Sequence, residues 1–168
     1  MKPCIPLVVC LLSSLPCHGS DPEAGITNGA MSDGEETPTG WVCSSFRDSS
    51  PLVLTRDTEV FATGPASLRV HAESAEAQGN VSQTFVAPGG TFTVAGSIKA
   101  DKSLRATVQL QEKNDAGERI ASHEIAAGKE DWKTFEKTIT LQDQTARCVL
   151  ILNVKGQGNA WLDEIVVK

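Results

Sequence analysis

The run Leu104-Arg105-Ala106-Thr107-Val108-Gln109-Leu110-Gln111 alternates apolar and polar residues without a break. A period of two is typical of an antiparallel strand that has one face in the core and the other in water. The same alternation recurs at residues 92–98 and 134–141. Residues 148–152 are nearly continuous in apolar side chains, which predicts a central strand covered on both faces.

Turn signals separate these runs, namely Pro88-Gly89-Gly90, Asn114-Asp115-Ala116-Gly117 and Gly156-Gln157-Gly158. No stretch of a dozen residues carries a helical stripe of apolar side chains. Many short strands at regular spacing are typical of a sandwich or barrel. The sequence therefore predicts an all-β domain built from antiparallel sheets.

Length and charge limit the class of protein. The chain has 168 residues, 40% hydrophobic and 21% charged, which predicts one globular domain with a single core. Its formal net charge of -6 argues against a nucleic-acid partner, because phosphates need clustered Lys and Arg. The same charge would repel anionic membranes.

The first residues have the pattern of a targeting signal. Lys2 precedes a short apolar run at residues 5–15, which is too short to span a bilayer. We expect a signal peptide at residues 1–19, a flexible lead-in at 20–25, and one domain at 26–168. The mature protein is then expected to be secreted, periplasmic or at the cell surface, without membrane insertion. The alternative, a lipid anchor on Cys17, is disfavoured by Pro16.

Two cysteines, Cys43 and Cys148, remain after removal of this leader. An even count in an exported protein permits one disulfide, between Cys43 and Cys148. The alternative is a pair of buried free thiols, since cysteine is among the most buried residue types.

The residues that could carry catalysis are few. Of the histidines, His71 and His123 remain after the leader, and neither has a nucleophile or carboxylate at a recognised motif spacing. No Gly-x-Ser-x-Gly elbow, His-Glu-x-x-His pair or phosphate loop occurs in the sequence. The sequence therefore predicts a protein that is not an enzyme.

The last ten residues, Asn159-Ala160-Trp161-Leu162-Asp163-Glu164-Ile165-Val166-Val167-Lys168, place a carboxylate in an apolar strand. A buried ionised carboxylate needs a cation or several hydrogen-bond donors. Asp163 is therefore either an exposed residue on an edge strand or a ligand for a structural cation.

Taken in order, several short motifs resemble carbohydrate-binding modules of the CenC type (families 4, 9 and 22). These motifs are Thr27-Asn28-Gly29, Thr39-Gly40-Trp41, Gly64-Pro65-Ala66-Ser67-Leu68-Arg69-Val70, Val81-Ser82-Gln83, Pro88-Gly89-Gly90-Thr91-Phe92 and Trp161-Leu162-Asp163-Glu164-Ile165. The resemblance spans residues 25–168. It implies a galactose-binding-like jelly roll of two antiparallel sheets. It also implies polysaccharide binding and a structural Ca²⁺, with Asp163 as the late ligand and Asn28 and Asp33 near the start.

The resemblance leaves the ligand surface to be located. Aromatic residues make up only 5% of the chain, Tyr is absent, and the three Trp occupy core positions of the family pattern. We expect a ligand surface on the polar outer face of a sheet, formed by Arg69, His71, Gln83, Gln109, Gln111 and Asn153. The expected partners are a polysaccharide or glycan and a glycoside hydrolase or cell-surface protein. The alternative is a jelly-roll structural or protein-interaction domain that does not bind sugar.

Overall fold

The computed structural model describes residues 25–87 and 89–168. The predicted signal peptide, residues 20–24 of the lead-in and the alternative anchor at Cys17 lie outside the described residues. Within the described part, the chain forms ten strands and no helix, so it contains no helix able to cross a membrane. The strands are β1 (Val42–Ser45), β2 (Leu52–Asp57), β3 (Ser67–Ala72), β4 (Gln78–Val86), β5 (Thr91–Ala100), β6 (Leu104–Lys113), β7 (Arg119–Ala127), β8 (Lys133–Thr140), β9 (Arg147–Gly156) and β10 (Gly158–Val167).

The strands form two antiparallel sheets of five strands each. Sheet A has the order β1-β4-β9-β6-β7, and sheet B has the order β2-β3-β10-β5-β8. Because side chains alternate between the two faces of a strand, the apolar residues of each strand lie on one face of its sheet. In β6, the buried residues are Leu104, Ala106, Val108 and Leu110. The inward side chains of both sheets make one hydrophobic core. The predicted all-β jelly-roll sandwich is confirmed.

Two consecutive strands occupy the centres of the two sheets. β9 pairs with β4 and β6 in sheet A, and β10 pairs with β3 and β5 in sheet B. Only Gln157 separates them, and Gly156 and Gly158 on either side have φ of 111° and 131°. L-residues with a side chain rarely adopt such angles, so this tight passage between sheets requires glycine. The prediction of a covered central strand at residues 148–152 is confirmed, since all five side chains are buried.

The segment before β1 has no strand and is fastened by a side chain from sheet A. Gln83 points into the sandwich, with 6% of its surface exposed. Its Oε1 accepts the backbone N–H of Thr27 at 2.7 Å, and its Nε2 donates to the carbonyl oxygens of Thr27 (3.0 Å) and Gly40 (3.2 Å). The prediction that Gln83 lies on an outer face is therefore wrong. It occupies a position of β4 whose side chain points into the sandwich, and its amide provides hydrogen-bond partners for backbone groups of the loop.

Of the two alternatives for the cysteines, the structure does not have the disulfide, because Cys43 and Cys148 are both free thiols. Cys43 lies opposite Val81 of β4, and Cys148 lies opposite Phe85 on the other flank of the same strand. Four residues of β4 correspond to about 13 Å along the strand, whereas a disulfide needs Cα atoms within about 7 Å. Burial raises the pKa of Cys148 to about 12, with a further contribution from the Glu112 charge.

Candidate functional site

The residues predicted to bind carbohydrate lie in three different places. Gln109 and Gln111 of β6 and Asn153 of β9 face outward from sheet A. Arg69 and His71 of β3 face outward from sheet B, on the opposite side of the sandwich. With Gln83 in the interior, the structure brings together only the three amides of sheet A. The six residues therefore do not form a single site.

The outer face of sheet A carries a cleft of about 260 Å³. Asn153 Nδ2 donates to Gln109 Oε1 at 3.1 Å, because the two residues lie on adjacent strands. The Gln109 amino group and the Asn153 carbonyl oxygen have no further partner among the described residues. The cleft is lined by Phe46, Gln78, Gly79, Arg105, Thr107, Gln109, Glu124, Asn153, Val154 and Lys155.

Phe46 is the aromatic residue at this cleft that sequence reasoning missed. It follows directly after β1, and 57% of its surface is exposed. An exposed aromatic ring beside amide groups offers both a stacking surface and hydrogen-bonding groups to a ligand. The available sequence signal was its place in the polar segment 44–50, where an apolar core residue is not expected.

On the outer face of sheet B, the predicted site residues bond to their neighbours. Arg69 Nε donates to Asn159 Oδ1 at 2.9 Å, and His71 Nδ1 lies 2.9 Å from the same oxygen. Asp57 Oδ2 accepts Trp161 Nε1 at 2.9 Å. Burial raises the pKa of Asp57, but hydrogen bonds from Trp161 and from the backbone outweigh burial and lower it overall. Each of these side chains therefore has at least one partner within the protein.

The loop between β2 and β3 covers Asp163, which is fully buried. Asp163 Oδ2 accepts the backbone N–H groups of Ala62 (2.9 Å) and Thr63 (3.1 Å), and Oδ1 accepts that of Glu164 (2.7 Å). Burial raises the pKa of Asp163, and these three N–H donors only partly offset the effect. The carboxylate is therefore neither exposed on an edge strand nor open to solvent; it fastens this loop to the sheet.

The residues predicted as calcium ligands do not fit a Ca²⁺ ion. Asn28 Nδ2 donates to the carbonyl oxygens of Asp33 (2.8 Å) and Thr39 (3.0 Å), and its Oδ1 accepts the N–H of Asp33. The Asp163 oxygens face N–H donors, whereas Ca²⁺ needs six to eight oxygen ligands. The loop that contains Asn28 and Asp33 already binds a guanidinium, since Arg56 Nε donates to Met31 O at 2.6 Å. Among the residues described here, no three His, Cys, Asp or Glu gather as a metal site.

A hydrogen-bonded pair, Glu112 and His123, lies at one end of the sandwich, apart from the cleft. Glu112 Oε1 is 2.6 Å from His123 Nε2, and Glu112 Oε2 accepts Gln142 N (2.9 Å) and Thr145 Oγ1 (2.5 Å). Burial raises the pKa of Glu112, but these hydrogen bonds and the nearby imidazole outweigh burial and lower it. This cluster joins β6, β7 and the loop between β8 and β9.

Solved structures of low sequence identity share this fold. The chain matches the enzymatically active domain of bacteriophage CBA120 tailspike protein 4 with a TM-score of 0.67 and 15% identity, covering 84% of this chain and 21% of that one. It matches TmCBM61, solved in complex with β-1,4-galactotriose, with a TM-score of 0.59 and 18% identity over 85% of this chain and 96% of that one. It matches the CBM22-1 xylan-binding domain of Paenibacillus barcinonensis Xyn10C with a TM-score of 0.60 and 15% identity, over 87% and 96%.

Sequence comparison gives the family. No curated protein matches the sequence significantly. A family model described as a carbohydrate binding domain matches residues 26–160, which is most of the chain. The motifs from Thr27 to Trp161, the two-sheet sandwich and this match agree, and the chain belongs to the carbohydrate binding domain family.

Proposed function

We propose that this protein is an exported, non-catalytic module that binds a polysaccharide on the outer face of sheet A. The observation that carries the proposal is that the exposed Phe46 ring and the Gln109–Asn153 amide pair line the same cleft. Two of its structural relatives are named for a bound galactotriose and for xylan binding, which supports a ligand of this class.

The outer face of sheet B also has a hollow, of about 330 Å³, but its chemistry suits a sugar less well. Glu136 and Glu164 line it with Ser97 and Thr134, and its aromatic residue, Phe135, is buried. Carbohydrate recognition needs an apolar surface together with planar donors and acceptors. Of these two hollows, the sheet A cleft is the one that offers both.

The arrangement of the histidines supports a binding role. His71 is engaged with Asn159, and His123 is engaged with Glu112. Neither of them lines the cleft on sheet A. Hydrolysis of a glycosidic bond generally requires a pair of carboxyl groups flanking the scissile bond, and the cleft is lined by a single carboxylate, that of Glu124.

Export and a catalytic partner complete the proposal. The leader-like pattern at residues 1–19 supports secretion to the periplasm, cell surface or medium. In the tailspike chain, the similar region is 21% of an enzymatically active domain, which supports association with a catalytic unit such as a glycoside hydrolase.

The test is a pull-down on insoluble polysaccharides, with affinity electrophoresis for soluble ones, including galactan and xylan. The informative variant is the double substitution Gln109→Ala with Asn153→Ala. Loss of two or three hydrogen bonds to the ligand, at about 1 kcal/mol each, lowers affinity by more than tenfold. The matched control is Thr91→Ala with Thr140→Ala, an exposed cross-strand hydrogen-bonded pair on sheet B.

Retention on one glycan that the sheet A variant loses and the sheet B control keeps would establish the binding face. Equal loss in both variants would place the ligand elsewhere. If the folded protein is retained on no glycan, the proposal fails, and a structural or protein-interaction role takes its place.

A further inference from the structure

The outer face of sheet A carries positive side chains at both ends of its central strands. At one end, Arg105 of β6 lies directly opposite Lys155 of β9. At the other end, Lys113 lies opposite Arg147 of β9 on one side and Arg119 of β7 on the other. All five side chains point outward from sheet A, as Gln109 and Asn153 do. The amides of Gln109 and Asn153 lie between the two positive groups.

This arrangement is unfavourable for the free protein. Like charges directly opposite each other in an antiparallel pair destabilise the pairing. None of the five cations makes a salt bridge with an acid among the described residues, although Arg47 pairs with Glu76 and Arg69 with Asp57. The five cations lie on one face of a chain whose formal net charge is -6.

One positive group lies in the cleft, and the other lies beyond it along the same strands. Arg105 and Lys155 line it, and Glu124 is the single acid in the same lining. Arg105 and Lys113 are eight residues apart on β6, which corresponds to about 26 Å along the strand. A linear ligand of several sugar units that follows β6 and β9 would therefore pass both groups.

We infer that the ligand of this face is an anionic polysaccharide that carries carboxylate groups, a uronic-acid polymer. One carboxylate binds between Arg105 and Lys155, and a second binds in the group formed by Lys113, Arg147 and Arg119. The arginine fork matches a carboxylate with two parallel hydrogen bonds, and lysine adds a mobile charge. The inference rests on the proposed function, since it uses the same face and names the substrate class.

The experiment compares ligands that differ only in charge. Affinity electrophoresis measures binding of the purified protein to polygalacturonate and alginate, and to the same polymers with their carboxyl groups esterified. We expect tighter binding to the acid forms by tenfold or more, and weakening as NaCl rises from about 0.05 to 0.5 M because salt screens exposed charges. The esterified forms should show little salt dependence.

Two double variants locate the carboxylate sites. Arg105→Gln with Lys155→Gln, and Lys113→Gln with Arg147→Gln, should each lower affinity for the acid polymer by about tenfold. The matched control, Lys133→Gln with Lys168→Gln, removes the same charge from exposed positions of sheet B and its end. The control should stay within about twofold of the unchanged protein. Both sheet A variants should unfold at an unchanged or higher temperature, because repulsion between paired cations is relieved.

Several outcomes would overturn the inference. Equal affinity for acid and esterified polymers would do so, as would equal losses in the sheet A variants and the control. The proposed function survives these results if a neutral glycan is retained and the Gln109 and Asn153 substitutions abolish that retention. Failure to bind any glycan, charged or neutral, overturns both.

Discussion

On the outer face of sheet B, Arg69 and His71 share one acceptor, Asn159 Oδ1. On the outer face of sheet A, by contrast, the side-chain amides of Gln109 and Asn153 bond only to each other within the described part of the chain. Sheet B is further covered by the loop that Asp163 holds. Sheet A is left open, with Phe46 exposed beside its cleft. Both faces have polar side chains at alternate positions, but those of sheet B bond to residues of other strands and loops, and under the proposed function those of sheet A bind the ligand.

The comparison predicts that substitutions will separate stability from binding. Changes to interior or sheet B polar groups should lower the free energy of unfolding and leave the affinity of the folded protein unchanged. Changes on the outer face of sheet A should do the reverse. Four substitutions test this separation of stability from binding.

The largest effect is expected for Gln83→Ala. Removing this buried amide leaves the backbone groups of Thr27 and Gly40 without partners. We expect the free energy of unfolding to fall by about 3 kcal/mol, measured by urea denaturation. The matched control is Gln111→Ala, the same change on the outer face of sheet A, which should alter stability by less than about 0.5 kcal/mol. A Gln83 variant of normal stability but reduced affinity would restore Gln83 as a ligand residue.

Asp163→Ala should have the next largest effect. Three backbone N–H groups lose their shared acceptor, and the loop over sheet B is released. We expect a loss of about 2 kcal/mol, partly limited because the freed loop can bind water. Proteolysis should cleave near residues 58–66 in this variant first. Asp143→Ala, at an exposed position, serves as the control, and an unchanged unfolding curve for Asp163→Ala would contradict the proposed role of the carboxylate.

Phe46→Ala tests the open face. The ring is mostly exposed, so its removal should leave stability within about 0.5 kcal/mol. Loss of a stacking surface should weaken polysaccharide binding by about 1 kcal/mol, or roughly fivefold. Phe61→Ala removes the other exposed phenylalanine of the described chain, which lies in the loop over sheet B. Equal affinity losses in the two variants would remove the distinction between the faces.

The smallest effect concerns acid stability through Asp57. Its pKa is lowered in the folded protein from 3.8, so its contribution is present above that value and is lost as pH falls through the folded pKa. Asp57→Asn should therefore make stability decline less steeply on acidification, in urea titrations at pH 7 down to about pH 3. The pH dependence of stability that comes from Asp163 is reversed. Its pKa is raised in the folded protein, so its contribution to stability is lost as pH rises. A steeper acid decline in Asp57→Asn would contradict this assignment.

The fold was predictable because alternation over β5, β6 and β8 and the turn residues between them reflect local geometry. The location of the candidate binding face was not predictable in the same way. Period-two patterns state which side chains share a face, but they do not state which face of which sheet a loop will cover. Gln83 shows this limit. A polar residue in a strand is interpreted as pointing outward unless the loop to which it hydrogen-bonds in the interior is known.

The same limit explains the other corrections. Cys43 and Cys148 satisfy the counting argument for a disulfide, but strand register places them on opposite flanks of β4. Asp163 matches a ligand position of the family pattern, yet its partners are backbone N–H groups from a loop a hundred residues earlier. Phe46 could be found only once its exposure was known. Each case depends on contacts between segments distant in the chain.

The placement of β9 and β10 at the two sheet centres has a consequence for biosynthesis. The chain leaves the ribosome with its N-terminus first. Until β9 is made, β4 and β6 have no strand between them, and until β10 is made, β3 and β5 are likewise apart. Neither sheet can close before residues 147–167 emerge, so the domain folds as a whole and late. A stalled chain would present unpaired strand edges, which favour aggregation.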